Sequence, residues 1–174
     1  MINDTIAAIA TPAGNSGIGI IRVSGDDAKA IVDRVFVNSK KEHILTSMES
    51  HTIRYGFLLN GEDIIDEVMV SYFKGPKSFT AEDTVEINCH GGIFVLKKAL
   101  DLVLQNGARL AEPGEFTKRA FLHGRIDLSK AEAVMDIISS DSEISLRNSV
   151  SQLQVCVYQK IKDSRENLCA ICST

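Results

Sequence analysis

No stretch of about 18 uninterrupted apolar residues occurs in the chain, and the N-terminus has no basic segment leading into an apolar one. Membrane spans and a secretory leader are therefore not expected, and the chain reads as soluble and cytoplasmic. A basic excess is also missing: 19 Lys and Arg face 23 Asp and Glu, for a formal charge of −4. That balance excludes a protein whose whole surface grips nucleic acid, because neutralising phosphates takes clustered cations. Any such contact must be local or made elsewhere. Cysteine is too sparse, at four residues, for a disulfide scaffold. Cys169-Ala-Ile-Cys172 forms a lone C-x-x-C without a second ligand pair, so it reads as idle thiols on a helix. His43, His51 and His123 have no ligand-forming neighbours at metal spacing, and no metal site is expected. A G-x-S-x-G elbow is absent, and so is G-x-x-x-x-G-K-[ST]. The glycine-rich Gly14-Asn-Ser-Gly17-Ile-Gly19 runs into a strand pattern and reads as a turn, not as a phosphate cradle.

What is present is enough apolar material, 44% of residues, for a real core. Thr5 to Ala10 and Ile18 to Val23 read as strands, and the period of two puts Ile18, Ile20 and Arg22 on one face. Ala28, Ile31, Val32 and Val35 keep helical spacing, while residues 38–50 are polar and irregular. His51 to Leu59 and Ile64 to Phe73 flank Asn60-Gly61, which predicts a hairpin. Thr84 to His90 alternates again, with Glu86, Asn88 and His90 opposite Val85, Ile87 and Cys89. Gly91-Gly92 breaks that strand, and an amphipathic helix follows as far as Asn106-Gly107. Strands and helices mix without a strict βαβ rhythm, which predicts an α+β domain with a mixed sheet.

From Ser129 the pattern turns wholly helical. Ser129-Lys-Ala-Glu132 and Ser140-Asp-Ser-Glu143 both read as capping boxes. Val150, Leu153, Val157, Ile161, Leu168 and Ile171 then form a narrow apolar stripe on a helix approaching ~45 Å at ~1.5 Å per residue. That stripe needs another chain or further sequence to pack on, so the chain reads as part of a longer protein. The expected division is a domain over residues 1–118 and a partial helical domain over residues 119–174.

Two groups of residues invite a binding role. Glu86, Asn88 and His90 share a strand face, where polar alternation is also the default of a wet sheet; a carboxylate there could accept two N–H bonds from an aminopyrimidine edge. Arg22, Lys118, Arg119 and Arg125 are candidate anion partners, their ordinary alternative being ion pairs with Glu115 and Asp127. Arg22 is distinctive because its neighbours on that face are apolar, so its stem is expected to pack and its head to reach an edge.

The run Glu112-Pro-Gly-Glu-Phe-Thr-Lys-Arg-Ala-Phe-Leu-His-Gly-Arg125-Ile-Asp-Leu-Ser-Lys-Ala-Glu-Ala-Val134 combines a Pro-Gly turn, a short basic helix, a glycine stop and a capped helix. Together with Phe79-Thr-Ala-Glu-Asp83 and Glu86-Ile-Asn-Cys-His-Gly-Gly92, it resembles the MnmE/TrmE tRNA modification GTPases over nearly the whole chain. The resemblance implies an N-terminal domain similar to the tetrahydrofolate domain of aminomethyltransferases, followed by an all-α segment with one long helix. It implies a homodimer that binds 5-formyltetrahydrofolate or 5,10-methylenetetrahydrofolate near its interface, with Arg22, Glu86 and Arg125 as the folate contacts. Some family members have Lys where this chain has Arg125. No catalytic residue is assigned.

Family members are further implied to act with the flavoprotein MnmG/GidA on C5 of the wobble uridine of certain tRNAs. Their GTP hydrolysis depends on Mg²⁺ and K⁺ and belongs to a G domain that these residues do not include; neither do they include the family's C-terminal cysteine motif. The leading expectation is thus a folate-binding, dimerising portion that does not complete the reaction alone. A stand-alone folate-dependent one-carbon transferase and a non-catalytic dimerisation scaffold are the alternatives.

Overall fold

A computed structural model describes residues 4–12, 14, 16–140 and 142–154. The chain divides into two compact units after Ala120. The first is α+β. Its strands are β1 (Ile6–Ile9), β2 (Ile18–Ser24), β3 (Phe36–Val37), β4 (Thr52–Asn60), β5 (Asp63–Phe73), β6 (Thr84–His90) and β7 (Arg109–Leu110). Two helices of this unit, α1 (Ala28–Asp33) and α2 (Ile93–Gln105), follow β2 and β6, and a single 3₁₀ turn covers Leu45–Ser47. A third, α3 (Glu115–Leu122), begins after the Pro113-Gly114 turn.

The strands form one mixed sheet in the order β3-β4-β5-β6-β2-β1-β7. Neighbours are antiparallel except β1 and β7, which run parallel. The expected mixed sheet is therefore present. Alternation along the strands sorts their side chains: Ile21, Val23, Val68, Val70, Val85, Ile87 and Leu58 enter a core with Ile31 and Val32 of α1 and with Leu96, Ala99 and Val103 of α2. Close seating of α2 on β2 requires Gly19, because a Cβ there would lie 2.4 Å from Leu96 Cδ1. The glycine-rich stretch thus serves packing as well as turning.

The hairpin turn differs by one residue from the Asn60-Gly61 expectation. Asn60 pairs with Asp63 as the last ladder position, so the two loop residues are Gly61 and Glu62, with Gly61 at φ +63°. A leading glycine with positive φ is the pattern of a II′ turn. The register also slips between Leu58 and Leu59, so a bulge absorbs one residue of β5 beside the turn.

In the second unit, α4 (Leu128–Ile138) and α5 (Glu143–Gln154) are the described helices. Two helices begin in this stretch, as predicted, but the caps are not the predicted serines. Asp127, not Ser129, caps α4: its Oδ1 accepts the Lys130 N–H at 2.8 Å. At α5 the Ser142 Oγ accepts the Ser145 N–H at 3.2 Å, in place of Ser140. Most of the predicted apolar stripe, from Val157 on, and Cys156, Cys169 and Cys172 lie outside the described residues. No described helix is long and apolar enough to cross a membrane.

Candidate functional site: a cross-strand arginine and glutamate

The face of the sheet opposite α1 and α2 carries Ile18, Ile20 and Arg22 of β2 beside His90, Asn88 and Glu86 of β6, residue for residue. β5 adds Met69 opposite Asn88 and Ser71 opposite Glu86. Arg22 and Glu86, 64 residues apart in sequence, therefore meet as direct cross-strand neighbours. Arg22 Nε donates to Glu86 Oε1 at 2.9 Å, and Nη2 lies 2.7 Å from the same oxygen. The side chains keep 26% and 22% of their surface exposed. Among the described residues, Arg22 Nη1 and Glu86 Oε2 have no hydrogen-bond partner. The pair thus keeps one donor group and one acceptor atom open.

Two aromatic rings fix the guanidinium. Arg22 Cζ stands 5.3 Å from the centroid of Phe79 and 5.6 Å from that of Phe116. Such contacts contribute about 0.5–2 kcal/mol each, depending on desolvation. Both phenylalanines belong to motifs quoted above, yet neither could be assigned from sequence, because their contact with Arg22 depends on how the chain folds back on itself.

At this end the sheet face is closed by a buried ionic cluster. Arg119 on α3 has no exposed surface; Nη1 donates to the Asp4 carbonyl at 2.7 Å and to Glu82 Oε1 at 3.1 Å, and Nη2 to Asp4 Oδ1 at 2.6 Å and Glu115 Oε1 at 3.1 Å. Its Nε is buried with no partner among the described residues. Arg109 joins the cluster through Asp4 Oδ2 at 2.6 Å and Glu115 Oε1 at 2.6 Å. The Arg109 hydrogen bonds, working against burial and helped by the Glu112 N–H and Arg119, hold the Glu115 carboxyl down at about 2. Asp4 is lowered in the same sense, again chiefly by Arg109. Arg119 is thus no candidate for anion binding at the surface; it is a buried structural ion whose two terminal nitrogens are paired within the fold. The expected pairing with Glu115 is present, and Asp4 and Glu82 add to it.

Arg125 is exposed, between α3 and α4 in the second unit; Lys118 is exposed on α3. Arg22 and Glu86 are the two members of the predicted trio that the first unit brings together.

Toward its other end the sheet face opens. Ile18, Tyr55 and Met69 are exposed there, around a surface cavity of about 200 Å³ whose lining includes Asn88 and His90, and Ile53 is exposed on β4 opposite Ser71. The His90 ring Nδ1 pairs with Asp66 Oδ1 at 2.7 Å, and Asp66 Oδ2 accepts the His90 backbone N–H at 2.8 Å. That carboxylate raises the His90 imidazole above its ordinary value. Cys89 is buried on the core side, and burial, followed by the charge of Asp66, pushes its thiol up to about 12, so it is inert. His43 and His51 make local contacts, to the Asp33 carbonyl and to Ser50 Oγ. No cluster of three or more metal-ligating residues occurs among the described residues.

Residues 5–125 match the family described as the GTP-binding protein TrmE N-terminus, well over half of the chain. The chain belongs to the TrmE N-terminal family. Similar proteins of known name agree. A tRNA modification GTPase MnmE from Lachnoclostridium phytofermentans is 55% identical over 168 residues, covering 97% of this chain and 37% of that protein. The MnmE of Acetivibrio thermocellus is 56% identical over 167 residues, covering 95% and 36%, and that of Alkaliphilus oremlandii 52% over 169, covering 96% and 36%. The chain therefore spans little more than a third of these relatives, and the TrmE family match ends inside the α3–α4 connection.

Proposed function

We propose that this chain is the folate-binding and dimerising portion of a tRNA modification GTPase. One observation carries the ligand reading: the half-exposed Arg22–Glu86 pair keeps a free N–H donor and a free carboxylate oxygen on a sheet face, inside the family-matched region. A carboxylate oxygen beside a guanidinium N–H complements the donor and acceptor edge of a pterin, and charge makes both bonds stronger than neutral ones. In this reading Glu86 accepts from the aminopyrimidine edge, Arg22 donates to a ligand carbonyl or carboxylate, and exposed Arg125 contributes to the glutamyl end. The ligand is 5-formyltetrahydrofolate or its 5,10-methylene relative, and the domain is related in fold to the tetrahydrofolate domain of aminomethyltransferases.

The exposed Ile18, Ile53, Tyr55 and Met69 support the dimer, since an apolar sheet face is covered in the working protein. The relatives carry the name tRNA modification GTPase; for the protein to which this chain belongs we accordingly propose GTP hydrolysis with Mg²⁺ and K⁺ in a G domain outside these residues. Modification of C5 of wobble uridine in tRNA, together with MnmG/GidA in the cytoplasm, completes the proposal. Titration calorimetry with 5-formyltetrahydrofolate tests the ligand assignment: the wild-type chain should release heat and Glu86→Ala should not. Equal heats, or none from the wild type, remove it. A second reading, a scaffold that dimerises without ligand, draws on the same apolar face. Sedimentation separates the two, because a site at the interface makes the dimer tighter when folate is added whereas a scaffold ignores it.

A further inference from the structure

Arg22 lies against two phenylalanines that come from two different elements, Phe79 from the turn between β5 and β6 and Phe116 from α3. Neither element is part of the sheet, so something must hold each of them against the guanidinium. Arg119 touches both. It sits one turn along α3 from Phe116, and its Nη1 donates to Glu82, three residues after Phe79. Glu82 in turn accepts the Ser24 hydroxyl at 2.7 Å, and Ser24 follows Arg22 by two residues on β2. The buried guanidinium therefore ties together the three segments that surround the exposed one.

We propose that Arg119 is a positioning residue for Arg22: by fastening α3 and the 79–83 turn to β2, it keeps Phe116 and Phe79 on the Arg22 guanidinium and so aims its free N–H beside the Glu86 carboxylate. The effect on ligand binding rests on the folate reading above; the effect on Arg22 does not. The cluster's chemistry suits this role. Five charged groups, Asp4, Glu82, Arg109, Glu115 and Arg119, pair with one another, and Arg119 is fully buried, so its guanidinium is closed to a surface ligand. A geometric role remains, and Arg22 is the charged group that lies against rings from the two segments Arg119 joins.

The test follows the Arg22 Nε–H resonance of the full chain by NMR, alongside calorimetry with 5-formyltetrahydrofolate. Phe116→Leu leaves every bond of the ionic cluster in place; Glu82→Gln weakens the cluster at one acceptor while preserving shape; Arg119→Met removes its centre. The proposal expects Arg22 Nε–H exchange and the folate Kd both to rise roughly five- to tenfold in Phe116→Leu and in Glu82→Gln, the scale of a lost cation–ring contact. Phe116→Tyr, which restores the ring, should keep both near wild type. Arg119→Met should repeat the loss, and if that variant does not fold, Glu82→Gln decides the point. An Arg22 signal unchanged in Phe116→Leu overturns the aromatic hold; a signal changed there but untouched by Glu82→Gln and Arg119→Met overturns the role of Arg119. If the wild type binds no folate while the Arg22 signal still depends on Phe116 and Glu82, the folate reading falls and the positioning role stands.

Discussion

Neutralising Glu115 should expose how much the buried ionic cluster contributes to stability. Its carboxylate takes Arg109 Nη2 at 2.6 Å and Nη1 at 3.1 Å, Arg119 Nη2 at 3.1 Å, and the Glu112 N–H at 2.7 Å. Held near 2 against an ordinary 4.5, chiefly by Arg109, the group binds its proton about 2.5 units more weakly in the folded chain. At about 1.36 kcal/mol per unit, that difference is roughly 3 kcal/mol of stability. Because the folded value is the lower one, this stability is complete above about pH 4.5 and is lost as the pH falls toward 2. Glu115→Gln keeps the shape and gives up the charge, so it should cost about 3 kcal/mol at pH 7, in line with breaking a buried ion pair. Urea unfolding at pH 7 and at intervals down to pH 3 measures both quantities. The variant should also have a flatter acid limb, since one titrating group has been removed. A cost below about 1 kcal/mol at pH 7, or an acid limb as steep as that of the wild type, would refute the reasoning.

Other consequences are simpler to read. Asp127→Ala should lower the stability of the second unit by about 1 kcal/mol, the usual worth of a cap, while Ser129→Ala should be close to neutral; thermal unfolding followed by circular dichroism distinguishes the two candidate caps. Asp66→Asn should bring the His90 titration, followed by NMR, down toward its ordinary value, since the raising groups include Asp66 first and Glu67 only last. The pairing of His90 with Asp66 stabilises the protonated form, so its contribution is present below the ordinary imidazole value and disappears as pH rises through the raised one. Gly56→Ala would place a Cβ 2.1 Å from the Val37 carbonyl oxygen and should destabilise the β3–β4 edge by roughly 1–3 kcal/mol in chemical unfolding.

Period-two alternation made β2 and β6 legible, and with them the shared face of Arg22 and of Glu86, because one side of each strand is buried and one is not. What it could not supply was register. That Arg22 stands opposite Glu86, and not Thr84 or Asn88, is decided by sheet pairing across 64 residues. The two-residue strands β3 and β7 are too short for any periodic signal, and β7 joins β1 in parallel only after α2 has carried the chain across. Arg119 was readable as a partner of Glu115 at helical spacing, which usually marks a solvated pair. Its burial comes from Asp4, 115 residues away, and Glu82, 37 away, a convergence no local pattern reports. The caps were misplaced by two residues because Asp127 and Ser129, like Ser140 and Ser142, are all good capping types; only the backbone turn chooses among them. Arg125 was singled out by its motif, and its role depends on groups that local sequence does not bring together.

Whether the Arg22–Glu86 pair recognises a ligand or merely braces the sheet is most directly tested by exchanging the two residues. An ion pair of this exposure contributes only about 0.2–1 kcal/mol to stability, whereas charge-assisted bonds to a ligand are worth about 1.5–3 kcal/mol each. Arg22→Glu with Glu86→Arg should therefore restore most of whatever stability either single change removes, yet leave 5-formyltetrahydrofolate binding weakened more than about tenfold in calorimetry. Wild-type affinity in the exchanged protein would contradict the account, reducing the pair to a brace between β2 and β6.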